Sequence, residues 1–272
     1  MNLPKIIMPR QPRNNIHNHC NDTFRELVQL WYQRGYCQIE LSDSPYVWWN
    51  KVGDILLYDF DISTPNFFLS NTTYNLGLFG NGELPKNGKK NVLWIYWGRR
   101  PILMDNKLKS WVYQNFNERK IISIFLGKVE NNVQLQYRAK ENWSDVIEVF
   151  HMPIRGEYKY NQSEYLDLIA QSRFGLCLRG YGPKCNREIE LLAFGTVLLI
   201  TPNVDVSNYY EPLIENIHYL SIKEPSDVKK VIDECSEETW REMSKNCMEW
   251  YNRNCSTENS FKLTNKIIDM YS

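Results

Sequence analysis

One stretch of this 272-residue sequence restricts the fold more than any other: residues 174–200, FGLCLRGYGPKCNREIELLAFGTVLLI. The apolar run Phe174 to Leu178 is too short for a helix and is closed by Arg179 and two glycines, Gly180 and Gly182, so it reads as a strand running into a glycine-bearing loop. From Asn186 to Phe194 the apolar Ile189, Leu192 and Ala193 return at helical spacing, and Gly195 ends that helix ahead of a second apolar run, Val197 to Ile200. Strand, loop, helix and strand in so few residues form the repeating unit of a parallel sheet covered by helices.

The rest of the chain keeps that alternation. Strands are expected at Lys5–Met8, Cys37–Leu41, Asp54–Tyr58, Asn91–Tyr96, Ile121–Leu126 and Ile147–Phe150. Helices are expected at Thr23–Tyr32, Lys107–Asn117, Ser163–Gln171, Asp227–Cys235, Glu237–Asn252 and Ser260–Tyr271. The polar stretch from Asp59 to Lys90 reads as loops near a site, because long structureless links are uncommon without a function. The expectation is an α/β chain with mainly parallel sheets, in two Rossmann-like domains that face each other across a cleft. Their bounds are residues 1–145 and 146–255, with a C-terminal helix in residues 256–272 packing back on the first domain.

Lys plus Arg total 32 and Asp plus Glu total 32, a formal net charge of zero with no long run of either sign. A nucleic-acid polymer or an anionic membrane is therefore not the expected main partner, and basic residues are expected to act locally, in a pocket. The seven cysteines are odd in number and none has CxxC spacing, so they read as reduced thiols of a cytosolic chain. Met1 to Arg13 carries prolines and charges in place of a signal-peptide core, and no window approaches the ~20 apolar residues of a membrane span. The chain reads as cytoplasmic and soluble.

The chemistry concentrates in the segment described first. Gly180 and Gly182 let the backbone approach a ligand closely, and the helix from Asn186 points its positive end at the same loop. Arg179, Lys184 and Arg187 surround that spot, a set that suits a diphosphate better than a single carboxylate. Three residues after Arg187, Glu190 shares its helix face and is placed to accept the two hydroxyls of a ribose. Glu188 falls on another face and reads as solvent-facing. Asp205, Tyr209 and Tyr210 follow the strand at Val197 and are candidates for contact with a sugar or base. The plain alternative is a surface helix carrying an Arg–Glu ion pair after an ordinary turn.

The segment SRFGLCLRGYGPKCNREIELLAFGTVLLI, Ser172 to Ile200, resembles the C-terminal signature of exostosin-like glycosyltransferases: a strand ending in Arg-Gly, an Arg-x-x-Glu helix and a glycine turn. The likeness runs without gaps over that segment. Elsewhere only the general pattern matches, including Ile122 to Gly127 with Arg138 beyond it. The resemblance implies a GT-B fold, with diphosphate contacts at Arg179 and Arg187 and the donor-binding carboxylate at Glu190. It implies a UDP-sugar as donor substrate, no tightly bound cofactor, no metal, and a glycan or oligosaccharide hydroxyl as acceptor. The resemblance also implies inversion at the anomeric carbon, and its short members from large algal viruses point to xylose as the sugar and to the cytoplasm of an infected host cell. The chain is expected to depart from Golgi members in having no signal anchor.

Inversion needs a base to take the acceptor proton. Two groups qualify: His17 and His19, with Asp22, in the loop after the first strand, and Asp59 and Asp61 just past the third. Asp59 is the favoured candidate, and Asp22 also fits a helix cap. Asp-Phe-Asp at Asp59–Asp61 also matches the DxD metal motif of another transferase architecture. A metal-dependent enzyme of that type therefore stays open, as does a carbohydrate-binding protein that keeps the fold without turnover.

Overall fold

The computed structural model describes residues 3, 5–9, 18–42, 54–59, 67–71, 90–93, 100–180, 185–207 and 209–271. The chain divides into two compact units, Met1–Asp105 with Asn254–Ser272, and Asn106–Arg253.

In the first unit β1 (Lys5–Pro9), α1 (Asn18–Gln33) and β2 (Gln38–Ser42) form a parallel crossover. Gly35, at a φ of 74°, makes the turn after α1. Then β3 (Asp54–Asp59) runs antiparallel to β1, β4 (Phe67–Asn71) antiparallel to β3, and β5 (Lys90–Leu93) parallel to β4. The sheet order is β2-β1-β3-β4-β5. It is mixed, which corrects the expectation of a mainly parallel sheet. The link 60–66 is too short for the dozen or more residues that a parallel crossover needs, so β3 and β4 can pair only antiparallel. β4 also interrupts the stretch read from sequence as loops.

The chain passes to the second unit within α2 (Pro101–Ser110), which starts six residues earlier than the spacing suggests. There follow β6 (Ile121–Leu126), α3 (Asn132–Arg138), β7 (Val149–His151), α4 (Gln162–Ala170), β8 (Ser172–Cys177), α5 (Asn186–Ala193) and β9 (Val197–Ile200). β10 (Tyr219–Ser221), α6 (Pro225–Glu234) and α7 (Glu237–Cys255) complete it. The final helix α8 (Thr257–Tyr271) belongs to the first unit. There the Trp31 indole N–H donates to Ser260 Oγ at 3.1 Å, and Phe261 packs edge-on against Trp31.

The expected boundary at residue 145 is corrected by pairing: β6 lies in one sheet with β7 and β8, so the second unit starts at Asn106. That sheet is parallel throughout, in the order β10-β9-β8-β6-β7. Phe174, Leu176 and Leu178 pack on one face against Val228, Trp240 and Met243 of α6 and α7. On the other, a side chain at Gly175 would collide with Leu191 of α5, so glycine is what lets that helix lie close to the sheet. Burial on both faces accounts for the unbroken apolar run at β9.

Arg119, 1% exposed, fastens the lower end of this sheet. It donates to the carbonyls of Gln114 (3.1 Å), Ser172 (2.7 Å) and Phe194 (2.5 Å) and to Thr196 Oγ1 (2.9 Å), with its guanidinium 4.9 Å from the Trp240 ring centre. Among the described residues no helix is long and apolar enough to cross a membrane, and Cys37, Cys177, Cys185, Cys235, Cys247 and Cys255 are free thiols.

Candidate functional site

Numbered in chain order, the strands of the second sheet run 2-1-3-4-5 from one edge to the other. The crossovers leaving β6 and β8 depart in opposite directions, so a crevice opens beyond the carboxyl ends of these two neighbours, where open α/β sheets bind ligands. Leu126–Gly127–Lys128 leaves β6 there, Leu178–Arg179–Gly180 leaves β8, and the N-terminus of α5 follows.

Three arginines converge on this crevice. Arg187, in the first turn of α5 and 8% exposed, donates through Nη2 to the Leu126 carbonyl at 3.0 Å and lies 4.2 Å from the centre of the Phe125 ring. Its Nε and Nη1 are buried and have no hydrogen-bond partner among the described residues. Arg138, 6% exposed, donates to the carbonyls of Lys128 (2.6 Å) and Arg179 (2.9 Å) and reaches Cys185 Sγ at 3.7 Å. It ties the two strand ends to the residue that precedes α5. Burial, aided by the neighbouring Arg187 charge and opposed by Cys185, holds the Arg138 guanidinium below its ordinary value. Arg179 lies 4.5 Å from the Tyr137 ring centre, and its Nε is also buried and unpartnered.

Two carboxylates sit among these cations. Glu188 is fully buried, which corrects its reading as a solvent-facing residue. As the third residue of α5 it turns back to accept the Cys185 N–H, capping the helix instead of projecting outward. Burial pushes its carboxyl up to about 7, against the pull of Arg187. Glu190, 3% exposed, accepts from Gln162 Nε2 at 3.3 Å and pairs with the phenol of Tyr165. Burial, then the Glu190 charge, raises that phenol well above its usual range.

The glycines match this crowding. A Cβ at Gly127 would fall 2.9 Å from Arg187 Nη2 and 2.7 Å from the Phe125 ring, and one at Gly180 would fall 2.7 Å from Cys185 Sγ. Either would push a cradle residue aside.

Arg179, Gly180, Arg187 and Glu190 all lie at this end of the second sheet, while Gly182 and Lys184 lie outside the described residues. Arg138, Gln162 and Tyr165 join them without a sequence signal strong enough to single them out. Asp205 closes a turn, accepting from the Ser207 N–H at 2.9 Å and its hydroxyl at 2.6 Å. Tyr209 is buried edge-on against Trp250, so its ring serves the core. Tyr210 is 42% exposed.

In the first unit, His19 and Asp22 lie within α1, which corrects their placement in a loop; His17 and Asp61 fall outside the described residues. Asp59 is the last residue of β3 and pairs with Lys5, at the start of β1. Because β3 is antiparallel, Asp59 stands at the edge where β1 begins. α1, with His19 and Asp22, starts beyond the opposite end of β1, so these two residues do not share an end of the first sheet with Asp59.

No family model matches this chain, and no curated protein matches it. The chemistry of the crevice rests on its own residues. Three buried or half-buried guanidiniums face two carboxylates, one of them held near neutrality, and the positive end of α5 adds to the same spot. Such a set of donors can hold an anion with several oxygens.

Proposed function

We propose that this chain is a glycosyltransferase moving a monosaccharide, xylose in the first instance, from uridine diphosphate (UDP) sugar to a glycan hydroxyl. The observation that carries the proposal is Arg187: a buried guanidinium at the switch point of a parallel sheet with two donors left for a ligand. Buried donors with unmade hydrogen bonds are costly, and a diphosphate supplies the acceptors. The gapless resemblance of residues 172–200 to exostosin-like transferases supports the same assignment, with Glu190 receiving the ribose hydroxyls.

In this reading Arg179, Arg187 and the N-terminus of α5 take up the negative charge that grows on the departing diphosphate, so the leaving group needs no acid. Inversion places a base on the acceptor side, with Asp59, Asp61, His17 and His19 as candidates. The GT-B arrangement, with the donor on the second unit and the acceptor on the first, belongs to this proposal, as does a cytoplasmic location. The test is a thermal-shift panel of UDP, GDP and UDP-sugars with and without EDTA. Selective stabilisation by UDP and one UDP-sugar, unaffected by EDTA, is expected. No response to any nucleotide would overturn the assignment.

A further inference from the structure

Beside the arginine cradle, at the carboxyl end of β7, stands a group of aromatic rings that the anion chemistry does not use. His151 ends β7, directly opposite Leu126 of β6, and its carbonyl accepts the Gly127 N–H at 2.9 Å. One strand spacing therefore separates it from the carbonyl that holds Arg187. Around the His151 ring lie Tyr158, with centroids 5.4 Å apart, and Tyr160, edge-on at 5.4 Å; the two tyrosines are 6.1 Å apart. All three rings are half-buried, each keeping some surface for contact.

The loop that carries these rings is held in place. The Val129 N–H donates to Pro153 O at 3.0 Å and the Arg155 N–H to Val129 O at 2.8 Å, fastening it to the loop after β6. The Lys159 N–H donates to His151 Nε2 at 3.2 Å, and its ammonium lies 5.3 Å from the Tyr160 ring centre. Tyr158 also lies close enough to Tyr165 to act on its phenol, and Tyr165 pairs with Glu190. The rings thus flank the cradle, one strand from the Leu126 carbonyl that accepts from Arg187 and on the side of Tyr165 and Glu190.

We propose that Tyr158 and Tyr160, braced by His151, form the platform on which the heteroaromatic base of the nucleotide stacks. The inference rests on the reading of the cradle as a nucleoside diphosphate site. A base attached to a ribose held at Glu190 projects away from the diphosphate, and flat rings with polar rims are the surface that retains a base.

The test separates platform from cradle by titrating inorganic pyrophosphate and UDP into the wild-type chain, Tyr158→Ala and Tyr160→Ala by calorimetry. Wild type is expected to bind UDP more tightly than pyrophosphate. Each variant should lose about tenfold for UDP while changing less than twofold for pyrophosphate. Unchanged UDP affinity in both variants, with pyrophosphate still bound, overturns the platform and leaves the cradle standing. Equal losses for both ligands overturn it too, since they mark the rings as structural. Failure of wild type to bind pyrophosphate defeats the reading of the cradle itself. Should a variant not fold, transfer of NMR saturation from tyrosine ring protons to the H5 and H6 protons of UDP on the wild-type chain decides, its absence overturning the platform.

Discussion

Replacing Arg187 by methionine separates binding from folding more sharply than any other substitution in the crevice. In the folded chain Arg187 makes one hydrogen bond to the Leu126 carbonyl and lies against the Phe125 ring, while Nε and Nη1 go unpaired. The bond from a charged donor is worth about 1.5–3 kcal/mol, and the ring contact up to about 2 kcal/mol. Each buried unpaired donor costs about 1–3 kcal/mol. Gain and loss nearly cancel, and the methionine keeps an apolar stem over Phe125, so Arg187→Met should shift the unfolding free energy by less than about 2 kcal/mol. Glu188 loses its main favourable charge, but its carboxyl already stands at about 7 and takes up a proton. Binding is different. Two charge-assisted bonds to a diphosphate, at about 1.5–3 kcal/mol each, amount to a loss of about a hundredfold to ten-thousandfold in UDP affinity. Urea denaturation and calorimetry on the same preparation measure both quantities. A variant that keeps its UDP affinity, or one that loses several kcal/mol of stability, would refute the reasoning by showing that Arg187 is a structural pin.

Arg119 offers the opposite case: Arg119→Met strips donors from the carbonyls of Gln114, Ser172 and Phe194 and should cost on the order of 3–5 kcal/mol in denaturant unfolding. A change under about 1 kcal/mol would contradict its role. Gly127→Ala places a methyl against Arg187 Nη2 and the Phe125 ring. By displacing that guanidinium it should weaken UDP binding about tenfold in calorimetry, with a smaller effect on melting. For Glu188, burial raises the carboxyl from 4.5 to about 7, so the folded chain holds the proton more tightly than the unfolded one. Its contribution to stability is full below about 4.5 and is lost as pH rises towards 7. Unfolding free energies from pH 4 to 8 should therefore fall with pH in wild type relative to Glu188→Gln across that window, and a relative rise would be the wrong sign.

Much of the second unit is legible in its sequence because local signals agree with the tertiary fold. The range Val197–Ile200 is read without error and α5 to within a residue, since apolar runs and 3.6-residue spacing survive packing on both faces of the sheet. What escapes is whatever depends on pairing. The direction of β3 is not written in Asp54–Asp59; it follows from which strand it meets, and with it the edge on which Asp59 stands. Glu188 is misread because helical spacing places its Cα but says nothing of a side chain turned back to its own N-cap. Arg138 escapes for a related reason. It closes α3, a helix of only seven residues, and earns its place through two carbonyls from other segments. The tyrosines at 158 and 160 look like ordinary loop aromatics until the register of β7 against β6 sets His151, against which they pack, beside Gly127.

If the crevice beyond β6 and β8 holds the diphosphate of a nucleotide sugar, as proposed, a crystal of the chain soaked with UDP in EDTA should show it there. Under this proposal diphosphate oxygens are expected within about 3 Å of Arg187 Nε and Nη1, with the ribose hydroxyls on Glu190. UDP bound elsewhere with the two Arg187 donors still unmet, or crystals that take up no UDP at millimolar concentration, would contradict it.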